Sequence, residues 1–103
     1  MSSDIRVRFR NYLFRLRRVR NLSQKQFAML LGLPDRTVVS HFEAGRRLPP
    51  LEVALSMEIV LGARLSEIYP ELYGVLGLQA VNREDYLPAK FPRHIRGRVT
   101  RKD

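Results

Sequence analysis

Within the stretch Leu22 to Gly45, LSQKQFAMLLGLPDRTVVSHFEAG, the side chains able to do chemistry are Arg36, Thr37, Ser40 and His41. An arginine can fork onto the two acceptors of guanine, and a threonine or serine can serve either kind of base pair. That is the chemistry of reading base edges, not of catalysis. The chain has no Cys, so a thiolate nucleophile and a disulfide framework are excluded. Its two histidines, His41 and His94, are far apart in sequence and have no ligand cluster nearby. No catalytic residue, no metal site and no cofactor is expected, and an enzyme is the least favoured reading.

Two short helices must position those side chains. Ser23 is placed as an N-cap, with Gln26 three residues on to close a capping box. Leu22 and Phe27 stand at the positions of a hydrophobic staple. Phe27, Ala28 and Leu31 share one apolar face, and Gly32 stops the helix. Pro34 and Asp35 reset the chain, with Asp35 as the next N-cap. The second helix then runs from about Arg36 to Ala44 and ends at Gly45. Its buried face passes through Val39 and Phe42, with Val38 at the margin. Arg36, Thr37, Ser40, His41 and Ala44 are left outward. Helix, glycine turn and helix of this size match a helix-turn-helix, whose second helix lies in the major groove of duplex DNA.

Ser23-Gln24, Ala28, Leu31-Gly32, Val39-Ser40 and above all Phe42-Glu43-Ala44-Gly45-Arg46-Arg47-Leu48-Pro49 resemble the phage Cro/repressor-type (XRE-like) helix-turn-helix family. The resemblance extends from Tyr12 to roughly Tyr69. One residue more than the commonest family spacing separates Gly32 from Glu43. Anchoring on Glu43 and Gly45 makes Arg36, Thr37 and His41 the base readers, with Ser40 beside them. Anchoring on Gly32 would bury His41 in place of Phe42, which is chemically less comfortable. The resemblance also implies a structural ion pair between Arg17, late in the first helix, and Glu43. It implies a phosphate contact for Gln24, whose place at a helix start already favours an anion. Lys25 beside it, and Arg46 and Arg47 in the loop after the reader helix, complete the expected phosphate contacts.

Charge is distributed to suit such a partner. Over 103 residues the net charge is +9. Residues 1–50 hold eleven basic residues against three acidic ones, whereas residues 51–81 hold one against four, and residues 82–103 seven against three. Positive charge thus lies with the helix-turn-helix and the tail, and the stretch between them serves packing. No apolar run has the length of a membrane span, and arginines interrupt any signal-peptide core, so a cytoplasmic protein is expected.

Along the chain, Ile5 to Arg10 alternates apolar and basic residues, a pattern suited to a strand or an extended arm. From Asn11, a candidate N-cap, a first helix runs to about Arg20 with Tyr12, Leu13, Leu16 and Val19 or Arg20 on one face. Pro49-Pro50 is a rigid corner before a helix from Leu51 to about Leu61 that is apolar on nearly every side. Glu58 falls on its apolar stripe and should be paired with an arginine or lie at an interface. Ser66 is placed as the cap of a short fifth helix. Glu71 to about Val81 is apolar, but Gly74 and Gly77 weaken its helical character. Arg83 to Asp103 reads as an irregular, largely extended basic tail.

The expected architecture is therefore all-α, a small bundle of about five helices containing a helix-turn-helix. Residues 11–81 form the DNA-binding domain with its C-terminal helices, flanked by a basic arm (1–10) and a basic tail (82–103). The expected partners are double-stranded DNA and a second copy of the chain. Leu72, Tyr73, Leu76 and the preceding apolar helix are the candidate dimer contact. An antitoxin-type regulator that also grips a toxin or other protein partner is the alternative, and a protein-interaction module retaining the fold is a third reading.

Overall fold

Capping decides where each helix of this chain begins. The computed structural model describes residues 9–99. Ile5 to Arg8 of the alternating arm, and Arg101 and Lys102 of the tail, lie outside the described residues. Those described form seven helices and no strand: α1 (Leu13–Val19), α2 (Gln24–Leu30), α3 (Arg36–Glu43), α4 (Leu51–Leu61), α5 (Leu65–Ile68), α6 (Pro70–Glu84) and α7 (Ile95–Val99). The chain divides into two compact units, the first ending at Pro70 and the second beginning at Glu71.

In the first unit α2 and α3 pack on one another, with α1 against α3 and α5 against α4. The capping box of α2 is complete. Ser23 Oγ accepts from Gln26 N at 3.0 Å, and Gln26 Oε1 accepts from Ser23 N at 2.8 Å. Asp35 caps α3 by accepting from Thr37 N at 2.8 Å. Leu13, Phe27, Ala28, Val39, Phe42, Met57, Leu61 and Ile68 form the core, each almost fully buried. Burying aliphatic and aromatic groups of this size contributes roughly 1.5–3 kcal/mol per side chain.

Four details of the first unit differ from what the sequence suggests. Asn11 is not the N-cap of α1: its Oδ1 accepts from Leu13 N at 3.0 Å, but the cap position is Tyr12 and the helix starts two residues after Asn11. Its inward face is Leu13 and Arg17, while Tyr12 and Val19 turn outward. An arginine occupies the core-facing position because a buried carboxylate receives it, which no hydrophobic periodicity reveals. Glu58 pairs with no arginine among the described interactions. Its Oε2 accepts from Leu65 N at 2.7 Å and so caps α5, where the cap position is Arg64 and not Ser66. Helix α4 buries Val53, Ala54, Met57 and Leu61 but leaves Leu51, Leu55 and Ile59 exposed on a single stripe.

The C-terminus of α4 is closed by a side chain distant in sequence. Arg20 Nε donates to Leu61 O at 3.0 Å, and a β-carbon on Gly62 would stand 2.6 Å from an Arg20 nitrogen. Gly62 adopts φ +66 there, a left-handed conformation that favours glycine, and a β-carbon would oblige the tip of the Arg20 side chain to move.

In the second unit, α6 continues to Glu84 through both glycines. The expected irregular tail is instead folded back at least as far as α7. Glu84 is 5% exposed, and its carboxylate accepts from His94 N at 2.8 Å and from Ile95 N at 3.3 Å. A carboxylate at the start of α7 satisfies free N–H groups and favours the helix dipole. That partnership spans ten residues, so local polarity suggested a loop. No helix among the described residues is long and apolar enough to cross a membrane.

Tyr69 is 6% exposed, and its hydroxyl has no hydrogen-bond partner among the described residues. Burial pushes that hydroxyl up from 10.0 to about 12. The folded chain therefore holds this proton more tightly than the unfolded chain, and stability should fall as pH rises between those two values. Tyr69→Phe should remove that alkaline loss and be neutral or stabilising below it, because no buried hydroxyl is left unpaired. Denaturation midpoints measured on either side of the window check both expectations.

Candidate nucleic-acid interface

A single carboxylate gathers the three helices of the motif. Arg17 Nε donates to Glu43 Oε2 at 2.5 Å, and Arg17 Nη2 to Glu43 Oε1 at 3.2 Å. The two side chains are 6% and 7% exposed. The remaining edge of the guanidinium is satisfied too, since Arg17 Nη1 donates to Leu22 O at 2.8 Å. The fork of an arginine matches both oxygens of a carboxylate, so the pair fixes an angle as well as a distance.

Glu43 has a second partner. Gln24 Nε2 donates to Glu43 Oε1 at 3.0 Å, and Arg36 Nη1 donates to Gln24 Oε1 at 3.4 Å. The chain of contacts runs Arg17, Glu43, Gln24, Arg36: from α1 to the end of α3, to the start of α2, and back to the start of α3. Spacing alone did not reveal this use of Gln24. Its nineteen-residue separation from Glu43 places the contact beyond any local pattern.

Phe42 is 2% exposed and His41 is half-buried, so α3 adopts the register anchored on Glu43 and Gly45. Arg36 and Thr37 are exposed at its first turn, while Ser40 and His41 lie half-buried on its flank. Lys25 is exposed beside half-buried Gln24, and Arg46 and Arg47 are exposed in the loop that follows α3. The structure thus brings Gln24, Arg36, Arg17 and Glu43 into one network and sets Arg46 and Arg47 at the other end of the same helix. Among the described residues no group of His, Asp and Glu stands close enough to hold a metal.

Asn11 is the residue at this site that the sequence reading limited to capping. Its Nδ2 donates to Phe42 O at 2.9 Å and to Phe9 O at 2.8 Å. One side chain therefore meets the start of α1 and also holds the last turn of α3. Its contact at the helix start is local, but the contact with Phe42 is thirty-one residues away.

Residues 13–68 match the family model described as helix-turn-helix. The chain is 38% identical over 71 residues to the control protein C.MunI of Mycoplasma sp, a match that covers 68% of this chain and 95% of that protein. No solved structure matches.

The network predicts how the site fails. Removing either partner of a buried, hydrogen-bonded ion pair leaves the other charge stranded, at a cost of about 3–5 kcal/mol. Arg17→Ala and Glu43→Ala should each lower the thermal midpoint, and the double variant should cost far less than the sum of the two. A double-mutant cycle with full additivity would show that the pair carries no coupling.

Proposed function

We propose that this chain, which belongs to the Cro/repressor-type helix-turn-helix family of DNA-binding transcriptional regulators, is a sequence-specific repressor that reads duplex DNA as a homodimer. The observation that carries the reading is the exposed first turn of α3, Arg36 and Thr37, on a helix whose other end is locked through Glu43. In the major groove an arginine at the start of the reader helix forks onto guanine O6 and N7, and Thr37 meets a thymine methyl or a base edge. Ser40 and His41 lie about one turn further on and read the flanking pair.

Phosphate contacts fall to Gln24, Lys25, Arg46 and Arg47. A glutamine amide has two N–H donors and its carbonyl is an acceptor. Gln24 gives one N–H to Glu43, holds Arg36 with its carbonyl, and keeps the second N–H for the DNA backbone. Contact with the backbone and orientation of the base reader thereby share one side chain.

Occupancy of an operator is the mode of action that a helix-turn-helix over residues 13–68 supports most directly. The similarity to a protein named as a control protein supports a regulatory role. Dimerisation is supported by Leu51, Leu55 and Ile59, exposed by 70%, 46% and 81% on one stripe of α4. Tyr73 and Leu76 of α6 are about half exposed as well. Apolar rows of this kind on small proteins mark contacts with other chains.

Arg36→Ala should cost about 1–3 kcal/mol at the preferred site and relax selection at one guanine per half-site. Binding to unrelated duplexes should hardly change, whereas Arg47→Ala should weaken all sequences alike. Binding-site selection on the purified protein and its Arg36→Ala variant is the test, and an unaltered base profile would sink the assignment.

Ile59→Asp should separate the dimer while leaving the fold unchanged, since that side chain is the most exposed of the α4 stripe. Selected sites should contain two half-sites about 34–36 Å apart or a multiple of it. Sedimentation of the wild-type chain as a monomer, both free and on its best site, would refute the dimer. A mixed complex with a different small protein would favour the antitoxin alternative.

A further inference from the structure

Arg10 lies between two residues that are both tied to the end of the reader helix. Phe9 N donates to Gly45 O at 2.8 Å, and Asn11 Nδ2 bridges Phe9 O and Phe42 O. The fit over Gly45 is close enough that a β-carbon there would lie 3.0 Å from Phe9 O and 3.1 Å from Phe9 N. Gly45 also takes φ +77, so the reader helix can end there and receive Phe9 only with a glycine. Arg10 and Arg46 are each the next residue after one partner of the Phe9–Gly45 bond. Arg10, Arg46 and Arg47 are all exposed, and none has an ion-pair partner among the described residues.

The length of α3 says where this cluster meets DNA. Eight helical residues span about 12 Å, so with Arg36 at the start of α3 on base edges the loop at its other end stands clear of them and is placed for the phosphate backbone. From this geometry we infer that Arg10 is a DNA-backbone contact, delivered by the Phe9–Asn11 clamp to complete a three-arginine phosphate site with Arg46 and Arg47. The site draws on two distant parts of the sequence, and Arg10 lies outside the residues matched by the helix-turn-helix family model. The inference rests on the reading of α3 as a DNA reader. A cation at the C-terminus of a helix can also merely complement its dipole, which would appear in stability and not in binding.

The test is the salt dependence of duplex binding by the full chain. Each phosphate contact contributes a slope of about −0.9 in log K against log salt. Arg10→Ala should shallow the slope by about that amount for specific and unrelated duplexes alike, with no change in thermal midpoint. Arg10→Lys, which keeps the charge, should recover the slope. Arg64→Ala, an exposed arginine at the start of α5, should leave it unchanged. An unaltered slope in Arg10→Ala, no recovery with lysine, or an equal loss in Arg64→Ala would overturn the assignment. A wild-type chain whose duplex binding ignores salt would instead overturn the DNA reading itself.

Discussion

The buried pair between Arg17 and Glu43 is the constraint from which the rest of the motif follows. Taking a guanidinium and a carboxylate out of water costs several kcal/mol each, and their attraction offsets this only when geometry and further hydrogen bonds are nearly complete. Both conditions hold. The guanidinium donates to both carboxylate oxygens and to Leu22 O, and the carboxylate also receives Gln24. Such a pair adds little net stability over a hydrophobic replacement, but it tolerates few arrangements. Its value lies in orientation, since it sets the tilt of α3 against α1 and α2 while Val39 and Phe42 supply the burial.

Orientation extends outward from that pair. Gln24 links the buried carboxylate to Arg36, so the side chain expected to enter the groove is braced by the same group that anchors the helix. The 3.4 Å contact from Arg36 to Gln24 is weak by hydrogen-bond standards. A weak brace suits the role proposed for Arg36, in which it exchanges this partner for a base without a large penalty. Burial thus decreases along the chain of contacts, from the fork at Arg17 to the exposed tip at Arg36.

Half of the acidic residues are held at helix starts or by the buried arginine. Of ten in the chain, Asp35, Glu58, Glu67 and Glu84 accept backbone N–H groups at helix starts, and Glu43 takes Arg17. Carboxylates engaged in capping are not available to neutralise arginines across the surface. Exposed Arg10, Arg46 and Arg47 have no ion-pair partner among the described residues, as the proposed phosphate contacts require. The same economy builds the second unit, where Glu84 turns an apparently polar tail into a folded segment.

By itself the sequence determined what local chemistry can determine. Ser23-x-x-Gln26, Asp35 and the glycines at 32 and 45 specified two helices and the turn between them, because caps and left-handed glycines act within a few residues. Val39 and Phe42 marked an inward face for α3, but only their burial in the structure chose the register anchored on Glu43 and Gly45 over the one anchored on Gly32, while the chained motifs identified the family over more than half of the chain. Tertiary structure decided whatever depends on partners distant in sequence. It turned Arg17 into the core and Tyr12 and Val19 out of it, gave Glu58 to the start of α5, closed α4 with Arg20, and folded the tail onto Glu84. It also placed Phe9 across Gly45 and drew Gln24 between Glu43 and Arg36. A side chain's polarity announces that it needs a partner, but the identity of that partner depends on packed helices bringing residues seven to forty-one positions apart within hydrogen-bonding distance.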